Sequence, residues 1–162
     1  MAKTPAFCGV VELICTRCGG DESVVSFGKG KSGVCNSCSK AEWAAKNPVK
    51  VRAQRLYGNA QKRAKANGWP ELDFSAPWIE EKILSGRCEV TGIPFDLVER
   101  RGGAHACNPW VPSIDRIDSS KPYSKDNVQI VVYMYNVCKA EFSHSDVIKF
   151  CRMVVAEERN AI

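Results

Sequence analysis

The spacing of apolar residues changes twice along this chain of 162 residues. Between positions 49 and 66, Val51, Leu56, Ala60 and Ala64, with Tyr57, recur at helical intervals while Lys and Arg fill the other faces. The period predicts a helix over 49–66, begun at Pro48, which a first helical turn tolerates, and stopped by Asn67-Gly68. Ser39 is placed to cap a shorter helix over 40–46, and Ser75 one over 76–85 that Gly86 closes. In that third helix Trp78, Ile79, Ile83 and Leu84 are expected to face inward. Beyond it the pattern turns strand-like. Arg87–Phe95 predicts a turn and hairpin, 110–117 a strand, 127–132 a second strand, and 133–140 a helix. The tail, 143–158, is amphipathic. Ser143 or Ser145 caps it, and Val147, Ile148, Cys151, Val154 and Val155 are expected to pack on the domain, with a dimer contact as the other use of that face.

Composition adds little to this outline. Apolar residues make up 44% and charged residues 25%, ordinary for a soluble globular chain. No apolar run approaches the length of a membrane-spanning helix, so no membrane partner is expected. The opening MAKTPAFCGVVELIC does not read as a signal peptide, since no small-residue cleavage site follows its short apolar patch.

Charge changes the picture more. The net charge is +5, unevenly spread. Lys40, Lys46, Lys50, Arg52, Arg55, Lys62, Arg63 and Lys65 stand against one acid, Glu42. Such a stretch suits phosphate contacts, and Lys50, Arg52, Arg55, Lys62 and Arg63 are the candidate DNA-binding residues; the same pattern also fits a solvated basic face, or a helix joining two halves of the protein.

Nine cysteines cannot all pair. Cys15-Thr-Arg-Cys18 and Cys35-Asn-Ser-Cys38 form two CxxC pairs sixteen residues apart, a spacing that suits one tetrahedral thiolate site. Gly19-Gly20 and the glycines of 28–33 supply the turns of such a knuckle. Four thiolates leave no open coordination position, so the Zn²⁺ expected here is structural. Thiols kept for metal fit a reducing compartment, hence the cytoplasm. Cys8 lies outside the pattern and reads as a small apolar residue.

The run Ser113-Ile-Asp-Arg-Ile-Asp118, followed by Tyr123-Ser-Lys-Asp-Asn127-Val and Asn136-x-x-Lys139, resembles the HNH (ββα-metal) nucleases, closest to forms found in phage and prophage proteins. The resemblance covers about 87–142, and the upstream CxxC pairs resemble the N-terminal knuckle of some HNH restriction enzymes. It implies an endonuclease that hydrolyses double-stranded DNA with Mg²⁺ or Mn²⁺. Asp115 and Asn136 match its metal-ligand positions, and Asn127 the residue that holds the loop. Asp118 reads as a loop cap. Phosphodiester hydrolysis needs a divalent ion to offset charge on the phosphate, and Mg²⁺ takes hard oxygen ligands while keeping several waters.

Two departures from that family stand out. Arg116 occupies the position of the general-base His; arginine stays protonated, but its fork of donors can grip a phosphate. A subgroup that resembles this chain has Asp-Arg and a downstream Tyr implicated in activating the nucleophile, the place of Tyr123, whose other reading is an aromatic packed on the hairpin. His105 is the other substitute base considered; His144 reads as a surface residue. Many relatives also carry a second zinc site. Here Thr91, Val132 and Tyr135 replace three of its cysteines, so packing by Val132, Tyr135 and Phe95 is expected in its place, with Cys107, Cys138 and Cys151 as buried thiols.

The sequence thus predicts an α+β protein with a small ββα-metal core: a zinc-knuckle module over 1–40, basic linker helices over 41–86, and an HNH-like domain with its C-terminal helix over 87–162. The alternative is a zinc-containing DNA-binding protein on the same scaffold that no longer cleaves.

Overall fold

The computed structural model describes residues 13–28, 33–98 and 108–160, the last three by backbone alone. Cys8, His105 and Cys107 lie outside the described residues. The chain divides into two compact units, 1–47 and 48–162.

In the first unit the chain doubles back on itself. Cys15 N–H donates to Gly20 O, and Gly19 N–H to Cys15 O, each at 2.8 Å. A bridge joins Phe27 to Cys35, and helix α1, Asn36–Lys46, follows at once. Cys35 is the residue preceding that helix, so it begins four residues before the expected start and Ser39 lies inside its first turn. The second CxxC pair opens the helix, which buries none of its residues. This unit has little apolar core among its described residues, as expected of a module held by metal ligands.

The second unit carries the core. Helix α2, Pro48–Ala66, turns Ala53, Leu56, Ala60 and Ala64 inward. Three alanines on that stripe let helix α3, Ala76–Leu84, come close, with Ile79 and Ile83 buried and Trp78 partly so. Leu84, expected inside, is 67% exposed, since one residue beyond the buried Ile83 it is turned about 100° around the helix. Gly86 closes α3 at φ +79°, a conformation that side chains strain to adopt. Of the expected linker helices over 41–86, Ala53, Leu56, Ala60, Ala64, Phe74, Ile79 and Ile83 are buried.

Strand β1, Pro112–Arg116, pairs antiparallel with β2, Val128–Val132, placing Asp115 opposite Gln129. The fold is mixed helix and sheet with two strands among the described residues, in the expected strand–loop–strand–helix order. One face of the hairpin presents Ile114, Val128 and Ile130 to α2 and α3. The other presents Ser113 and Asp115 to helix α4, Tyr133–Lys139. Burying one Ile such as Ile130, fully enclosed, is worth about 1.5–3 kcal/mol. Residues 87–94 form a turn closed by the Arg87–Pro94 bridge and joined to β2 through Glu89 N–H and Ile130 O at 3.0 Å. Cys88, Val132 and Tyr135 are buried together against Phe95, the packing expected in place of a second zinc site.

Helix α5, His144–Asn160, starts with reciprocal caps: Asp146 N–H donates to Ser143 Oγ (3.2 Å), and Ser143 N–H to Asp146 Oδ2 (3.1 Å). Its apolar face does not pack on the domain as expected. Among its described side chains only Val147 is buried; Ile148, Cys151, Val154 and Val155 are exposed, as is Cys138 on α4. Helix α4, the element α5 packs on most, is seven residues long, and most of the apolar face of α5 lies exposed.

Candidate active site and metal centre

The sulfurs of Cys15, Cys18, Cys35 and Cys38 lie within 4.8 Å of one another, and the Cys18–Cys35 pair is 3.8 Å apart. Thiolates about 2.3 Å from a tetrahedral Zn²⁺ would stand about this far apart. Cys35 N–H donates to Cys15 Sγ at 3.3 Å, which pulls the Cys15 thiol down to about 6. Neighbouring sulfurs, Cys35 first, push the Cys38 thiol up to about 12. Four such thiols ionise together only around a cation, so the donor set fits zinc.

In the second unit the expected catalytic residues divide between the two faces of the hairpin. Adjacent residues of a strand point to opposite faces, so Asp115 and Arg116 separate. Asp115 turns to α4, where it is 4% exposed. Its Oδ1 accepts from Lys139 Nζ at 3.3 Å and its Oδ2 from Gln129 Nε2 at 2.8 Å. Asn136, also on α4, donates through Nδ2 to Ser113 Oγ (2.7 Å) and Ile114 O (3.1 Å). Since Ile114 O only accepts, that side of the amide must be its NH₂, and Oδ1 is the amide's remaining acceptor. Burial first, and then the charge of Asp115, push the Tyr135 phenol up, and its hydroxyl lies 2.9 Å from Nδ1 of the exposed His144.

Arg116 turns to the α2 side. Its guanidinium sits 4.6 Å from the Trp69 ring centre and 5.3 Å from that of Tyr123, and Nη1 donates to Lys121 O at 2.9 Å. Tyr123 is 6% exposed and packs edge-on against Trp69, with centroids 5.9 Å apart. Its hydroxyl accepts from Arg63 Nη1 at 3.3 Å. Trp69 is thus central to this face. Sequence reading passed over it, because its position after Asn67-Gly68 carries no periodic signal.

Asn127 links the two faces at the base of the loop. Its Nδ2 donates to Pro122 O (2.9 Å) and Asp118 O (3.1 Å), and its Oδ1 accepts from Asp118 N–H (2.9 Å). Asp118 in turn caps the bend, accepting from the Ser120 hydroxyl (2.6 Å) and N–H (3.0 Å). That hydroxyl, the N–H and Lys121 hold its carboxyl down at about 2.

No family model matches the chain. No curated protein matches it either. Among solved structures it is similar to the rare-cutting HNH restriction endonuclease PacI, at 21% identity over 91% of this chain and 96% of that one, with a TM-score of 0.44.

The five basic candidates on α2 do not all lie on one face of the helix. Arg52, Arg55, Lys62 and Arg63 share a helical stripe, whereas Lys50 lies off it. Arg52 Nε donates to Pro112 O and Arg63 reaches Tyr123, so two members of the stripe are tied to the hairpin and its loop. Lys50, Arg55 and Lys62 are exposed. No helix among the described residues is long and apolar enough to cross a membrane.

Asp115 and Asn136 offer a carboxylate and an amide oxygen, hard donors of the kind Mg²⁺ or Mn²⁺ takes. Each carboxylate oxygen has spent one lone pair on a donor and keeps another, so the donor set fits a divalent ion in kind.

Proposed function

We propose that the second unit is a metal-dependent DNA endonuclease of the HNH type, built on residues 87–142 and helped by α2. The observation that carries this reading is the convergence of Asp115 from β1 with Asn136 and Lys139 from α4 on one face of the hairpin, above a loop that Asn127 fixes. A divalent ion held by Asp115 and Asn136 would offset charge building on the phosphate and the leaving oxygen. The chain's own residues orient the substrate. Arg116, on the other face of the hairpin but partly exposed at the rim of the loop, spends one N–H on Lys121 O and keeps others for a phosphate oxygen farther along the backbone. Trp69 and Tyr123 hold that guanidinium in place. Arg55 and Lys62 would extend the contact along double-stranded DNA, beside Arg52 and Arg63, with Lys50 adding charge from off that stripe. Zinc at the four-cysteine cluster holds the first unit. The exposed apolar residues of α5 are where a homodimer would form. The cytoplasm of a bacterial or phage-infected cell fits the reduced cysteines.

The contacts of Tyr123 fit a phenol that seats Arg116. Its other reading, activation of the nucleophile, keeps the support of a hydroxyl oriented by Arg63. Plasmid nicking in Mg²⁺ or Mn²⁺ separates these. Wild type is expected to cut, and Asp115→Ala to lose the activity. Tyr123→Phe should keep activity within about tenfold if it seats Arg116, and lose about 100-fold or more if its hydroxyl moves a proton. The absence of metal-dependent cutting on any DNA would sink the nuclease reading. It would favour the second one, a non-cleaving DNA-binding scaffold, to which the burial of Asp115 against Lys139 also lends support.

A further inference from the structure

Outside the four-cysteine cluster, only two buried side chains among the described residues carry a formal charge, and they face each other: Asp115 at 4% exposure and Lys139 at 1%. Lysine is rarely this enclosed unless it is paired, because removing its ammonium from water is costly. All three of its N–H groups are used. They reach Asp115 Oδ1 (3.3 Å), Arg116 O (2.7 Å) and Ser119 Oγ (3.3 Å), across the end of β1 and into the loop. With Gln129 on the other oxygen, the Asp115 carboxylate has a donor on each side and a full positive charge against one of them. The formal charges of this pocket already cancel.

We propose that Lys139 is the resident counter-cation of Asp115 and sets how strongly the site takes a divalent ion. Lys139 orients the carboxylate in the metal-free protein, and an ion reaching Asp115 binds against the ammonium's charge. The pocket then holds Mg²⁺ or Mn²⁺ weakly by itself and binds it firmly only when a phosphate brings further negative charge. Lys139 is in this sense a positioning residue. The inference rests on the reading of Asp115 as a metal ligand, and its test reads metal binding, whatever the cutting activity.

The test is a titration of the full-length, zinc-loaded protein with Mn²⁺, without DNA, following the free-ion signal by electron paramagnetic resonance. Wild type is expected to bind only in the millimolar range. Lys139→Met should bind at least about tenfold more tightly, since the repelling charge is gone. Asp115→Asn added to Lys139→Met should abolish that gain. Lys139→Arg, which keeps the charge, should stay as weak as wild type. Micromolar binding by wild type that Asp115→Asn removes would overturn the proposal. So would a folded Lys139→Met protein that binds no more tightly than wild type. Should Lys139→Met fail to fold, wild type and Lys139→Arg carry the test, and tight Asp115-dependent binding in either overturns it. A protein that never cuts DNA yet shows these affinities would lose the nuclease reading and keep this one.

Discussion

The two faces of the β1–β2 hairpin are built on opposite principles. Toward α2 and α3 the strands offer Ile114, Val128 and Ile130 to an apolar core, and charge enters only at the rim, where Arg116 lies over Trp69 and Tyr123. Toward α4 they offer Ser113, Asp115 and Gln129, each matched by a named polar partner, beside one enclosed apolar residue, Val131. The first face tolerates small changes, because apolar contacts are many and individually small. The second does not, because a buried polar group left without its partner costs its full desolvation. Within one hairpin, the apolar face supplies most of the stability, and the polar face supplies the geometry a reaction would need.

The largest expected effect lies on the polar face. Lys139→Met leaves Asp115 buried and uncompensated, and should cost about 3–5 kcal/mol of stability. Replacing both partners, Asp115→Leu with Lys139→Met, should recover most of that loss, since two apolar side chains need no counter-charge. Urea unfolding followed by circular dichroism measures both. Equal losses in the single and double variants would break the contrast between the faces, for they would mean that the pair fills space and nothing more.

How much of this was legible beforehand follows from what each feature depends on. The strands and the helix after them were readable because Ser113–Asp118 and Val128–Val132 carry local patterns, and α2 was readable from its alanine stripe. The four-cysteine cluster was readable because its spacing is itself the chemistry. Three things were not. Lys139 was seen as part of a motif, but its burial depends on a partner 24 residues away. Trp69 lies outside any period, yet it seats Arg116. The tail helix was read as packed because it is amphipathic, and amphipathicity does not say whether anything lies within reach to cover the apolar side; among its described side chains only Val147 is covered.

Asn127 ties the faces together, and its loss should have an intermediate effect. Asn127→Ala removes the two carbonyl contacts and the acceptor for Asp118 N–H, leaving those groups partly buried, at a cost of about 1–3 kcal/mol. The Asp118 amide should then exchange with solvent much faster than its neighbours in β1. Unchanged stability with a still-protected Asp118 amide would show that the loop holds itself, through Asp118 and Ser120, without Asn127.

The smallest effect should come from removing the Tyr123 hydroxyl alone. Tyr123→Phe keeps the ring against Trp69 and under Arg116 and loses only the hydroxyl's contact with Arg63. A partly buried bond at 3.3 Å is long, and its removal should cost about 0.5–1 kcal/mol. Tyr123→Ala removes the ring as well and should cost about 3–5 kcal/mol, as large-to-small changes in a core do. A small loss for Phe beside a large one for Ala places the stabilising role in the ring, and leaves the hydroxyl free to be judged by cutting alone. A large loss for Phe would mean that Arg63 is anchored chiefly through that oxygen, and the apolar face would then depend on a polar contact as the other face does.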